Sequence, residues 1–281
     1  MNPDRDLEGW TIAFDLDGTL VETHEDLVGT LNRMLLKHGL PEAPMDTARD
    51  LIGGGARALL QHGFIAAGAS WEDADQEALF DAFIADYIEH IADHSQPFDG
   101  VVETLEALSE RGAKLVVATN KRTDLSELLL AKLDLTRHFA AIVGPDKVSA
   151  RKPSGAHLSE AVLLGGGDPT MAIMVGDASP DADAARDAGM PCIVVTFGYT
   201  QTPPEDLGGD VLIDAFEDVE EAIDGLLTDL RRQGAGGLIA SSHRPGAVRT
   251  PAVGRPRLTW PSPLLDRLRR RSTGRRSARF R

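Results

Sequence analysis

Trp10-Thr11-Ile12-Ala13-Phe14-Asp15-Leu16-Asp17-Gly18-Thr19-Leu20 is the stretch that decides how the rest of the chain is read. Residues 10–14 form a near-continuous apolar run, the pattern of a parallel strand buried on both faces. Two aspartates two residues apart follow where the run ends. Side chains two apart in an extended segment point the same way, so Asp15 and Asp17 can reach one site beyond the strand's C-terminal edge. Gly18 then permits a sharp turn and a close approach of backbone to an anion. Open parallel sheets bind ligands at that edge.

Apolar runs of the same kind recur at 114–118, 140–144, 172–175, 191–196 and 211–213, with amphipathic segments at 101–111, 123–133, 155–164, 181–188 and 218–232. This alternation predicts an α/β fold with a Rossmann-like parallel sheet. One interval departs from it. Between Leu20 and Pro97 no strand is predicted; helical patterns fall at 24–38, 55–67 and 71–94, broken by Gly39, Pro41, Pro44 and Gly53-Gly54-Gly55. The expected organisation is therefore a core of residues 1–21 and 97–233 with a helical cap domain, 22–96, inserted over the mouth of the sheet. From residue 234 to 281 Gly, Ser, Pro and Arg dominate and periodicity is lost, which reads as a disordered basic tail with a short basic helix possible at 264–271.

Charge is distributed unevenly. Residues 244–281 hold twelve arginines against one acid, Asp266, a local charge of +11, so the preceding residues carry −26 of the net −15. Such a body repels nucleic acid and anionic membranes, leaving any contact of that kind to the tail. The single cysteine, Cys192, excludes an internal disulfide and, within an apolar run, is expected as a buried core thiol. The first ten residues are mostly polar and no apolar run approaches the roughly 20 residues of a membrane span, so the expected location is the cytoplasm, as a monomer or homodimer.

Three more pieces fall just past predicted strands: Thr119-Asn120, Lys152-Pro153, and Gly176-Asp177 with Asp181. In a parallel sheet all of them share one rim with Asp15 and Asp17. A phosphate monoester brought to three carboxylates needs a cation, and Mg²⁺ prefers such oxygen ligands. Asp15 and Asp177, with the Asp17 backbone carbonyl, are the natural metal ligands. Asp15 can attack phosphorus to give an aspartyl-phosphate, and Asp17 can protonate the leaving oxygen and then activate water. Lys152 and Thr119 can hold the phosphoryl oxygens, with Gly18 and Asn120 nearby. Asp181, one turn past Asp177, can support the metal's waters or orient Lys152.

These residues resemble the haloacid dehalogenase superfamily of phosphotransferases over about residues 10–229. Asp15-Leu16-Asp17-Gly18-Thr19-Leu20 resembles its motif I, Thr119-Asn120 motif II, Lys152-Pro153 motif III and Gly176-Asp177-Ala178-Ser179-Pro180-Asp181 motif IV. The helical insertion resembles the C1 cap. The resemblance implies the nucleophile at Asp15 and the acid/base at Asp17. Dehalogenases lack that second aspartate and ion pumps carry Thr there, so Asp17 implies a phosphatase or phosphomutase.

Within the superfamily the chain is most similar to bacterial phosphoglycolate phosphatases, through Ile52-Gly53-Gly54-Gly55-Ala56-Arg57, Ala118-Thr119-Asn120-Lys121, Ala150-Arg151-Lys152-Pro153 and Val195-Thr196-Phe197-Gly198-Tyr199. Ala178 departs from it, since relatives usually carry Ser there. The implied reaction is Mg²⁺-dependent hydrolysis of a small phosphorylated metabolite, 2-phosphoglycolate first. A β-phosphoglucomutase-like mutase and a pyrophosphate or sugar-phosphate phosphatase are the alternatives inside the superfamily, and a scaffold acting through the tail is the alternative outside it. Arg57 either pairs with a substrate carboxylate or is a surface arginine of the cap, and His24 is expected at the surface or the hinge.

Overall fold

Strand β1, Thr11–Phe14, is buried along its whole length, which demands cover on both faces. The computed structural model describes residues 5–45, 52, 55–72, 75–235 and 248–249. After β1 the chain makes a turn into β2 (Val21–Glu22), then runs through α1 (His24–Lys37), α2 (Ala56–Ala66) and α3 (Gln76–Glu89) to β3 (Gln96–Pro97). It continues as α4 (Val101–Glu110), β4 (Lys114–Ala118), α5 (Thr123–Lys132), β5 (Ala141–Val143), α6 (Gly155–Leu164) and β6 (Ala172–Gly176). The last elements are α7 (Ser179–Ala188), β7 (Cys192–Val195), β8 (Val211–Ile213), α8 (Val219–Ala235) and β9 (Val248–Arg249).

The large sheet has the order β5-β4-β1-β6-β7-β8-β9, and every neighbouring pair is parallel. Alternate residues of its strands enter two different cores, as a period of two requires. Ile12, Phe14, Leu115, Val117, Ile173, Val175, Ile193 and Val195 face one core, shared with Leu105 of α4, Leu129 of α5 and Ile223 of α8. Ala13, Val116, Ala118, Met174, Cys192 and Val194 face the other, against Leu158 and Val162 of α6 and Ala185 of α7. Double-sided burial is why these strands read as unbroken apolar runs; each large side chain so covered contributes about 1.5–3 kcal/mol. From β1 the chain moves outward to β4 and β5, then returns to β6 on the opposite side of β1. The switch point therefore lies between β1 and β6, where a crevice opens at the C-terminal strand ends.

Four expectations need correction. The interval between Leu20 and Pro97 does hold strand: β2 and β3 pair antiparallel, Val21 with Pro97 and Glu22 with Gln96. The third helix starts at Gln76, where the Asp75 carboxylate accepts from Ala78 N–H at 3.2 Å, and ends at Glu89 rather than spanning 71–94. Helix α7 starts at Ser179, two residues early, because Pro180 fits a first turn and Asp181 caps it from within. Of the predicted tail, Val248–Arg249 adds a parallel strand to the open edge of β8; the helix expected at 264–271 lies outside the described residues.

Helices α1, α2 and α3 pack on one another and on the sheet's first core. Leu27, Leu31, Met34 and Leu35 form the buried stripe of α1, joined by Leu59 and Phe64 of α2 and Phe83, Ile84 and Tyr87 of α3. Their return to β3 is fixed by buried Asp26, which accepts from Ser95 N–H at 2.8 Å and Ser95 Oγ at 2.6 Å. Among the described residues no helix is long and apolar enough to cross a membrane.

Candidate active site

Four adjacent strands deliver the site. Asp15 directly follows β1, and its N–H still bonds Val175 O at 2.9 Å; Thr119 follows β4, its N–H bonded to Val143 O at 3.0 Å; Asp177 follows β6; and the loop after β5 brings Lys152. Asp15, Asp17, Thr119, Asn120, Lys152, Asp177 and Asp181 all line one cavity of about 350 Å³, together with Arg57 from α2 and Tyr87 from α3.

The centre of the cavity floor is ionic. Buried Lys152 Nζ lies 2.6 Å from Asp181 Oδ1 and 2.8 Å from Asp15 Oδ1. The contact to Asp181 is a hydrogen bond, whereas the approach to Asp15 is an ion pair without the angle of a hydrogen bond, and that buried oxygen has no other donor. Burial opposes the charge of Lys152, but Asp15 and Asp181 outweigh it and hold the pKa above the ordinary lysine value. Burial pushes the Asp15 carboxyl up to about 6, against the pull of Lys152. Asp177 is raised well above the ordinary carboxylate value by burial first, then by Asp181 and Asp15.

Oxygens of Asp15, Asp177 and Asp181 lie within 4.8 Å of one another. One ammonium among three converging carboxylates leaves the cluster short of positive charge, and Asp15 Oδ1 lacks a donor. An all-oxygen set of this kind fits a hard divalent cation. Asp177 is held ready: Thr19 Oγ1 donates to its Oδ1 at 3.0 Å and Tyr199 N–H to its Oδ2 at 2.6 Å. Asp181 is committed elsewhere as well, since its Oδ2 accepts from the N–H groups of Asp177 and Ala178 at 3.2 and 3.0 Å. That is half of a capping box; Ala178 has no side-chain oxygen to return the bond. Of the two roles open to Asp181, the geometry shows contact with Lys152.

Asp17 lines the same cavity but has a different cationic partner. Lys121 Nζ bonds its two oxygens at 2.9 and 3.2 Å and the Tyr87 hydroxyl at 2.8 Å. Lys121 is buried, and although burial opposes its charge, Asp17 and Tyr87 hold its pKa above the ordinary value. Thr119 Oγ accepts from Lys121 N–H at 3.1 Å, which leaves its own proton to donate. The Asn120 side chain is spent on the Lys152 peptide, accepting from its N–H and donating to its C=O, both at 3.0 Å. Gly18 N–H is likewise spent, on Val21 O at 2.9 Å. Arg57 makes a paired contact with Glu77, at 2.9 and 2.8 Å, and lies 3.9 Å over the Phe80 ring.

Gly18 has a geometric role of its own. Its φ is +87°, and a Cβ there would lie 2.6 Å from Asp177 Oδ2 and 2.9 Å from the Tyr199 ring. Gly18→Ala is thus expected to displace Asp177 and reduce turnover at least tenfold while the chain stays folded. Steady-state kinetics beside a thermal melt check this; a variant with wild-type turnover would remove the constraint.

Sequence reasoning left four contributors unassigned. Thr19 sits inside the quoted run, and Lys121 and Tyr199 sit inside runs noted only for resemblance, so position was available but role was not. Tyr199 acts through its backbone N–H on Asp177, while its hydroxyl accepts from Thr23 N–H at 2.7 Å and donates to Glu22 at 2.5 Å. Tyr87 carries no local signal at all. His24 lies at the start of α1, 2.6 Å from Glu22, beside β2.

Residues 12–195 match the haloacid dehalogenase-like hydrolase family. A phosphoglycolate phosphatase from Caulobacter vibrioides is 50% identical over 79% of this chain and 94% of its own length. An N-acetylmuramic acid 6-phosphate phosphatase from Pseudomonas aeruginosa is 33% identical over 78% of this chain and 96% of its own. The crystal structure of a predicted phosphoglycolate phosphatase from Haemophilus somnus 129pt has a TM-score of 0.71 at 29% identity, covering 77% of this chain and 98% of that one. An acidic cluster at the switch point of a parallel sheet, in a chain matched along most of its folded length, makes this protein a member of the haloacid dehalogenase-like hydrolase family and a phosphatase enzyme.

Proposed function

We propose that the protein is a Mg²⁺-dependent phosphatase of small carboxylic acid phosphates, with 2-phosphoglycolate as its substrate. The observation that carries this is the lining of the cavity. Opposite the carboxylates stand Leu27, Ile52, Leu59, Phe80 and Ile84, while Arg57, Lys121, Arg122, Arg151 and Lys152 supply cations. The neutral polar side chains among the described lining residues are Thr119, Asn120 and Tyr87, and the last two are already bonded within the protein. Such a wall can pair anions but leaves sugar hydroxyls without partners, at about 1–3 kcal/mol each. The Caulobacter vibrioides relative is named for the phosphate of a two-carbon carboxylic acid, which agrees.

In this reading residues 22–96 act as the cap that closes over a core of 1–21 and 97–233, in the cytoplasm. Asp15, Asp177 and the Asp17 carbonyl hold Mg²⁺, which supplies the positive charge that lets a phosphate dianion approach three carboxylates. An Asp15 oxygen attacks phosphorus as the ester P–O bond breaks, and Asp17 gives its proton to the leaving oxygen of glycolate. Asp17, now a carboxylate, takes a proton from water as that water attacks phosphorus, and Asp15 is released with phosphate. Lys152, the Thr119 hydroxyl and the Asn120 N–H hold the phosphoryl oxygens through both steps. Gly18 supports this by leaving room for Asp177.

A panel of 2-phosphoglycolate, ethyl phosphate, N-acetylmuramic acid 6-phosphate and glucose 6-phosphate tests the substrate. The highest kcat/KM is expected for 2-phosphoglycolate, with activity lost in EDTA and restored by Mg²⁺. Equal turnover of glucose 6-phosphate defeats the substrate choice, and full activity in EDTA defeats the metal.

A further inference from the structure

Among the described residues the cavity holds five cationic side chains, and four of them already have acidic partners. Lys152 is engaged by Asp15 and Asp181, and Lys121 by Asp17. Arg57 is engaged by Glu77 at 2.8 Å, and Arg122 by Asp124 at 2.7 Å. The guanidinium of Arg151 lines the same cavity and has no hydrogen-bond or ion-pair partner among the described residues. We propose that Arg151 is the residue that reads the carboxylate of a carboxylic acid phosphate, and so determines specificity at this site. The inference rests on the substrate reading given above.

Exchange and addition differ in what a ligand gains. A substrate carboxylate arriving at Arg57 or Arg122 must displace a carboxylate already held in place, and gains only the difference between two similar contacts. At Lys121 it would also strip Asp17 of its orienting partner. At Arg151, which is exposed, the carboxylate displaces water and no protein carboxylate, so a planar, two-pronged, charge-assisted contact is added to those the protein already makes. Position agrees. Arg151 is the chain neighbour of Lys152, whose ammonium lies 2.8 Å from the Asp15 oxygen. A two-carbon substrate places its carboxylate only a few bonds from the phosphorus, and Arg151 lies on the same loop as Lys152 and lines the same cavity. Arg57 instead belongs to α2, beyond β2.

The experiment compares kcat/KM for 2-phosphoglycolate with kcat/KM for ethyl phosphate, which has the same two-carbon skeleton and no carboxylate. Wild type, Arg151→Met, Arg151→Lys and Arg57→Met are measured in the full chain with Mg²⁺. The preference for 2-phosphoglycolate is expected to fall about ten- to a hundredfold in R151M, by less in R151K, and by less in R57M. The loss is expected mainly in KM, which a change in packing alone would not produce for one substrate only. A preference retained in R151M, or lost more steeply in R57M, overturns the assignment while leaving the phosphatase reading intact. A wild type with no preference between the two compounds removes the substrate reading, and the carboxylate assigned to Arg151 goes with it.

Discussion

Asp15→Asn is expected to lower turnover by about four to six orders of magnitude, on the scale seen when a covalent nucleophile is removed. The substitution keeps the shape of the side chain and removes its charge. An amide oxygen cannot form the acyl phosphate, so no part of the chemistry passes to a neighbour. Stability should hold or rise. Asp15 is largely buried beside Asp181 and Asp177, and its carboxyl is already pushed up to about 6 by desolvation, so its charge is a cost in the metal-free fold. Lys152 keeps its bond to Asp181 when Asp15 is neutral. Kinetics with Mg²⁺ and a thermal melt of the same preparation check both halves. A folded variant with substantial metal-dependent activity would move the nucleophile to another residue.

Lys152→Met should do damage of a different kind. The ammonium is nearly inaccessible to solvent and separates two carboxylates that otherwise face each other. Removing one partner from a buried ion pair costs about 3–5 kcal/mol, which in a domain of this size lowers Tm by roughly 6–20 °C. Activity should fall steeply even well below the melting point, because the phosphoryl oxygens lose their fixed donor. Lys152→Met with the wild-type Tm would mean the buried charges are compensated elsewhere. Full turnover in a folded variant would remove Lys152 from the phosphoryl site.

What could be read in advance follows from how locally each feature is determined. Residues 114–118 and 172–175 are legible as strands because both faces of the sheet are covered, so burial writes itself into every position. Asp15, Thr119, Lys152 and Asp177 are legible as a group because a parallel sheet sends the ends of its strands to one rim. β2 and β3 leave no such trace: two residues are too few to show a period, and their pairing joins positions 74 and 76 residues apart. The Asp17–Lys121–Tyr87 contact depends on where α3 comes to rest, which no local pattern encodes. Tyr199 serves Asp177 through a backbone N–H, a group that every residue but proline carries. The engagement of Arg57 by Glu77 is hidden for a related reason, since a helix-period argument does not say which acid of the next helix lies within reach.

The short pair of β2 and β3 has one more consequence. Both ends of the helical segment leave the sheet side by side, held by the pairing of Val21 with Pro97 and of Glu22 with Gln96. A segment spliced between those two pairs, whatever its length or sequence, would impose no stretch on β1 or α4. Asp15 and Lys152 would stay where they are while the roof above them changed. The junction is a docking port in the covalent chain: the roof can be exchanged there, by recombination or by design, without moving the strand ends, and a new roof has only to restore the Tyr87 contact to Lys121 that holds Asp17.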